Sequence, residues 1–155
     1  MTERYFLHRI QEENGKFTKG IEIHETKNAA ILSYFGRVKL AYGGNPNITF
    51  VHAKITDING NRVEDYDLSW NRDKDYVNKF FLHHIRYDGD TPNKDIDVFD
   101  TFDAARSAYA AAMEYGFDNP KFSDVKMVSC EISDRSGAVM HPFDKTWHKT
   151  EEQAD

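Results

Sequence analysis

Residues 4–70 and 79–147 carry one pattern twice, and a chain that repeats a pattern has to fold it twice. Tyr5-Phe6-Leu7-His8-Arg9-Ile10 lies over Phe80-Phe81-Leu82-His83-His84-Ile85 at an offset of 75. The same offset sets Ile21-Glu22-Ile23 on Ile96-Asp97-Val98, Thr26 on Thr101, Ala29-Ala30 on Ala104-Ala105 and Tyr34 on Tyr109. The second copy then gains two residues. At offset 77, Ile55-Thr56-Asp57 meets Ile132-Ser133-Asp134, and Gly60 meets Gly137. Tyr66-Asp67-Leu68-Ser69-Trp70 meets Phe143-Asp144-Lys145-Thr146-Trp147. One register change reconciles nearly the whole chain, which two unrelated segments of similar composition would not allow.

Each copy reads as ββαββ. Residues 4–11 alternate apolar and polar and are rich in aromatic and β-branched types, the pattern of a strand. Asn14-Gly15 and Asp88-Gly89-Asp90 supply turns, and second strands follow at 17–24 and 94–99. Thr26 and Thr101 stand where helix N-caps belong, ahead of helices at about 27–42 and 102–116. Gly43-Gly44 and Gly116 are expected to cap the other ends. Third strands cover about 48–57 and 125–133, Asn59-Gly60 and Ser136-Gly137 turn the chain, and a short fourth strand ends on the Asp-x-Ser/Thr-Trp pattern. The expectation is an α+β fold made by tandem duplication of a ββαββ unit, with antiparallel sheets, one helix per unit and pseudo-twofold symmetry. Its parts are a first repeat at 1–70, a linker at 71–77, a second repeat at 78–147 and a tail at 148–155. Both helices are more apolar than a helix with one wet face. They are expected to pack on the sheets and on each other, with a homodimer interface as the alternative cover.

Charge separates the copies. Residues 1–77 hold 11 Lys and Arg against 11 Asp and Glu, whereas residues 78–155 hold 9 against 15, the whole net charge of −6. Much of the excess lies in Asp88, Asp90, Asp95, Asp97, Asp100 and Asp103. These six are the candidate surface for a basic protein partner, because clustered carboxylates raise the local negative potential and steer such a partner. The acidic balance argues against a wide nucleic-acid-gripping face. A local groove remains as an alternative, built from Arg37, Lys39, Tyr42, Lys54 and Arg62 of copy one. No apolar run is long enough for a membrane helix. The lone Cys130 leaves no internal disulfide, and MTERYFLHRI lacks the layout of a secretory signal, so a cytoplasmic location is expected.

Catalytic and metal patterns fail one by one. Counted from Asp88, an EF-hand would need Gly and Glu where Asn93 and Phe99 stand. His24-Glu25-Thr26 and His148-Lys149-Thr150 imitate the paired His-x-Thr of 2H phosphoesterases, but the repeat sets His24 on Phe99 and leaves His148 beyond copy two. His8 and His83 are equivalent, yet no carboxylate or thiol recurs beside them at ligand spacing, so they read as strand residues with satisfied rings. Asp67/Trp70 and Asp144/Trp147 read as core covers with an Asp accepting from a turn amide, and Cys130, aligned with Ala53, as filler of a small buried slot. No phosphate loop, nucleophile elbow, CxxC or HExxH is present. No catalytic residue, metal or cofactor is expected.

The words Phe81-Leu-His-His-Ile, Thr101-Phe-Asp-Ala-Ala-Arg-Ser-Ala-Tyr and Ile132-Ser-Asp-Arg-Ser-Gly-Ala-Val resemble small proteins of mobile elements and phages of gut Firmicutes. Small acidic proteins of such elements are similar in size and charge to anti-restriction and anti-CRISPR inhibitors. That resemblance implies a non-enzymatic inhibitor that occupies the basic surface of a host nuclease, and it carries over no residue role. A nucleic-acid-binding accessory protein and a small 2H-like phosphoesterase are the alternatives.

Overall fold

The computed structural model describes residues 2–150. The chain runs β1 (Tyr5–Glu13), β2 (Lys16–His24), α1 (Lys27–Tyr42), β3 (Ile48–Asp57) and β4 (Arg62–Asn71), then β5 (Phe80–Asp88), β6 (Thr91–Phe99), α2 (Phe102–Met113), β7 (Val125–Asp134) and β8 (Thr146–His148). This is an α+β fold with the ββαββ unit repeated. Each copy forms an antiparallel four-stranded sheet, ordered β2-β1-β3-β4 and β6-β5-β7-β8. By packing, unit 1 comprises residues 1–78 with 135–137, and unit 2 the remainder. None of the helices among the described residues is long and apolar enough to cross a membrane.

The duplication extends to backbone detail. Leu7 faces Ile55 across β1 and β3, and Leu82 faces Ile132 across β5 and β7, which are the pairs that the sequence offsets require. The β1–β3 pairing shifts register between Glu12 and Glu13, and the β5–β7 pairing between Tyr87 and Asp88, with one extra residue on β3 and on β7 at equivalent positions. Thr26 and Thr101 share an extended backbone, φ −126° and −128° with ψ 151° in both, and each accepts from the amide three residues on at 3.2 Å. Each cap is worth about 1 kcal/mol to its helix.

In both units the helix covers one sheet face. Ala30 and Tyr34 of α1 pack on Leu7, Ala53 and Ile55, while Ala105, Tyr109 and Met113 of α2 pack on Leu82, Val128, Cys130 and Ile132. The opposite faces of the central strands are also withdrawn from solvent, at Phe6, His8 and Ile10 and at Phe81, His83 and Ile85. Imidazole on those faces needs a partner. His8 Nε2 meets Thr56 Oγ1 at 2.8 Å, and His83 Nε2 meets Ser133 Oγ at 2.8 Å.

The copies diverge at two places that the sequence reading set differently. α2 ends at Met113, not at Gly116. The chain there makes a turn from Gly116 N to Met113 O and passes through Phe117 and Asp118 in the left-handed region before a 3₁₀ turn at Pro120–Phe122. Gly116 is small for another reason: a Cβ there would stand 3.1 Å from the Trp147 ring. The fourth strand of copy two shrinks to Thr146–His148, against ten residues in β4. Pro142 cannot donate to a ladder, and residues 138–145 join β7 through scattered bonds such as Ile132 N to Phe143 O at 2.8 Å. His148 therefore belongs to a strand and not to a tail, and residues 151–155 lie outside the described residues.

Unit 1 also encloses a charge. The Arg135 guanidinium, 7% exposed, donates to Glu12 Oε1 and to Asn71 Oδ1, each at 2.7 Å, and lies 5.1 Å from the centre of the Phe50 ring. Removing one member of such a pair strands the other. Arg135→Met is expected to cost about 3–5 kcal/mol in urea unfolding. Arg106→Met, on the exposed side of α2, is expected to cost about 0.5 kcal/mol or less.

Candidate functional site

The six acidic residues gather around β6, an edge strand of the unit 2 sheet. Asp95 and Asp97 flank the buried Ile96 and face the helix side, since Asp97 stands opposite Leu82 in the register. Asp90 and Asp100 mark the two ends of the strand and are exposed. Asp103 lies in the first turn of α2, where a carboxylate complements the helix dipole. Asp88 faces inward on the hairpin: Arg86 clamps both of its oxygens at 3.0–3.1 Å.

Most of these carboxylates have a cation at hand. Asp90 has Lys126 at 3.5 Å, Asp103 has Arg106 at 3.0 Å, Asp100 pairs with Lys79 and Asp88 with Arg86, while Asp97 Oδ2 lies 3.1 Å from His84 Nε2. Asp95 Oδ1 accepts from the Ile96 amide at 2.8 Å. The surface is therefore mixed in detail and negative in sum.

Beside Asp97, unit 2 contains a cavity of about 260 Å³ between α2 and the sheet. Ala108, Ala111 and Ala112 form its helix side, and Leu82, Val128 and Cys130 its sheet side. His84, Ile85, Arg86, Asp97 and Tyr115 complete the lining, with the Arg86 guanidinium 4.0 Å from the centre of the Tyr115 ring. The alanine-rich helix leaves space where close packing could have followed. Cys130 is buried, which pushes its thiol pKa up to about 12 and leaves it a packing residue without thiolate chemistry at neutral pH.

The copy one residues expected to line a nucleic-acid groove do not converge. Lys54 is 2% exposed. It lies on the sheet face opposite α1, and that face is buried, so its ammonium cannot reach a phosphate. Arg37 is held by Glu22 at 3.2 Å, and Arg62 by Asp67 at 3.3 Å. Lys39 is exposed, and Tyr42 joins Leu32 and Phe35 as large exposed groups of α1. Asp67 and Asp144 serve Arg62 and His141 in place of turn amides, while Trp70 and Trp147 do cover core edges.

Unit 1 has its own carboxylate centre, which the sequence did not single out. Glu22 accepts from Ser33 Oγ at 2.7 Å and Arg37 at 3.2 Å, meets His24 Nε2 at 3.1 Å, and has Arg9 Nε at 3.2 Å as an ion pair outside hydrogen-bonding geometry. Gly20 makes room for that arginine, since a Cβ there would stand 3.1 Å from its guanidinium. His24 is thus a member of the network around Glu22. His8 and His52 are buried, and burial followed by the Lys54 charge pushes both imidazoles down, His52 to about 3. They are neutral rings at physiological pH. Among the described residues no group of three His, Cys, Asp or Glu side chains could hold a metal ion.

The fold and the centre define an acidic α+β protein of two ββαββ units with a cavity in the second. No family model, curated protein or solved structure matches the chain.

Burial raises the Glu22 pKa, but the bonds from Ser33, His24 and Arg37 and the Arg37 charge outweigh it, so it lies below the ordinary carboxylate value. A depressed carboxyl stabilises the fold above its unfolded pKa, and that contribution is lost as pH falls through its folded pKa. Glu22→Gln is accordingly expected to lower the urea midpoint at about pH 7. The gap from the unsubstituted protein should narrow once pH drops below about 4.

Proposed function

We propose that the protein is a non-catalytic binding protein whose unit 2 docks the basic surface of a protein partner, of the kind that nucleic-acid-binding host proteins present. One observation carries this reading: residues 78–147, the second copy, hold 12 acidic against 8 basic side chains, while residues 1–77 are balanced. Two copies of one fold need the same core, so a charge difference between them belongs to their surfaces. The β6 edge concentrates it, with Asp90 and Asp100 exposed at its ends. A mixed but net negative surface steers a cationic partner and sets its orientation more than it adds raw affinity. The resemblance to mobile-element proteins favours a defence nuclease as the host protein, since blocking its nucleic-acid surface requires only a well-shaped acidic competitor.

The immobilised full chain is expected to capture a basic nucleic-acid-binding protein from host lysate, identifiable by mass spectrometry. With the purified partner, affinity should fall at least about tenfold between 50 and 300 mM salt. Asp90→Asn, Asp95→Asn and Asp100→Asn combined should weaken it at least about fivefold. A complex indifferent to both changes contradicts the reading.

A further inference from the structure

Unit 1 contains the same place as the unit 2 cavity, in filled form. By the repeat offset, Ser33, Gly36 and Arg37 of α1 stand where α2 has Ala108, Ala111 and Ala112, and Leu40 stands where Tyr115 does. In unit 1 the corresponding gap, bordered by Arg9, Arg37, Leu40 and Val51, has shrunk to about 10 Å³, against about 260 Å³ in unit 2. Part of the filling is Arg37, whose guanidinium ends on Glu22.

Unit 2 keeps the carboxylate but not its company. Asp97 replaces Glu22. Of the four groups around Glu22, Arg37 has become Ala112, Ser33 has become Ala108 and His24 has become Phe99. The fourth, Arg9, has become His84, which lies 3.1 Å from Asp97 Oδ2. The arginine in the lining, Arg86, is neutralised by its two-oxygen grip on Asp88. The cavity thus offers an acceptor, an apolar channel and no surplus positive charge. Asp97, 47% exposed, is reachable from solvent.

We propose that the cavity between α2 and the β5–β6 hairpin binds an arginine side chain of a protein partner, with its aliphatic stem against Ala108, Ala112 and Leu82 and its guanidinium on Asp97. The incoming group takes the part that Arg37 plays inside unit 1. Arginine suits this lining better than lysine, because its planar head is weakly hydrated and combines a carboxylate contact with an apolar wall. An anion is disfavoured, since Arg86 already has its carboxylate in Asp88 and Asp97 adds a negative charge. The inference rests on the reading of unit 2 as a docking surface for a basic protein.

The test titrates the full chain with Nα-acetyl-arginine methylamide, followed by ligand-observed NMR. Binding is expected in about the millimolar range. The citrulline analogue, equal in shape but uncharged, should bind at least about tenfold more weakly, and Asp97→Asn should cost at least about fivefold. Ala112→Arg, which rebuilds the unit 1 arrangement, should abolish binding, and Ala112→Leu fills the cavity without charge should the arginine variant not fold. Glu64→Gln, exposed on β4 of unit 1, should leave binding unchanged. No binding to the unsubstituted protein, equal binding of the citrulline analogue, or full binding by a folded filled variant overturns the proposal. So does a preference of about tenfold or more for n-butylguanidinium, which would assign the cavity to a free small molecule. If blocked arginine fails to bind while the partner complex remains salt-sensitive, the cavity assignment falls and the docking reading stands. If blocked arginine binds and the complex ignores salt, the docking reading falls instead.

Discussion

The antiparallel pairing of the first strand with the third, β1 on β3 and β5 on β7, is the constraint on which each unit depends. These strands occupy the middle of their sheets and are buried on both faces. A slip of one residue would turn every side chain to the wrong face. It would pull Leu7 and Leu82 out from under their helices and part His8 and His83 from Thr56 and Ser133. The shared bulge position shows that the register is held in both copies down to its irregularity.

Because the register is common, the two units can be compared position by position, and the differences acquire meaning. The helix caps, the buried histidine–hydroxyl pairs and the leucines under the helices are shared. The ground beside the second strand is not. In unit 1 a carboxylate gathers Ser33, His24, Arg37 and Arg9 and the gap beside it is closed. In unit 2 the carboxylate stands over an open cavity. A filled gap stabilises its own unit through packing and charge pairing, whereas an open one gives up those contacts. An opening in the more acidic unit fits the docking role proposed for it.

Much of the fold was legible in the sequence, because strands, caps and turns are set by local patterns that the repeat presents twice. Thr26 and Thr101 identified both helix starts, and the β3 and β7 segments lie where the pattern set them. The end of α2 was not legible. Gly116 has the composition of a cap, yet it is small because Trp147 lies against it, a contact between residues far apart in the chain. Lys54 misled for a similar reason: alternation assigns a face, but not whether that face is covered. The acidic segment was readable as charge, though not as charge mostly met by nearby cations. The cavity was hidden, because an alanine-rich helix can mean either close approach or unfilled space, and only the neighbouring strands decide between them.

The proposed recognition resides in what unit 2 has and unit 1 lacks. The most direct test is a backbone amide NMR map of the full chain during titration with a short arginine-rich peptide. Perturbations are predicted along residues 84–86, 95–100 and 108–115, with the equivalent positions of β1, β2 and α1 silent. Equal perturbation of both units, or a response centred on Lys39 and Tyr42 of α1, would contradict it.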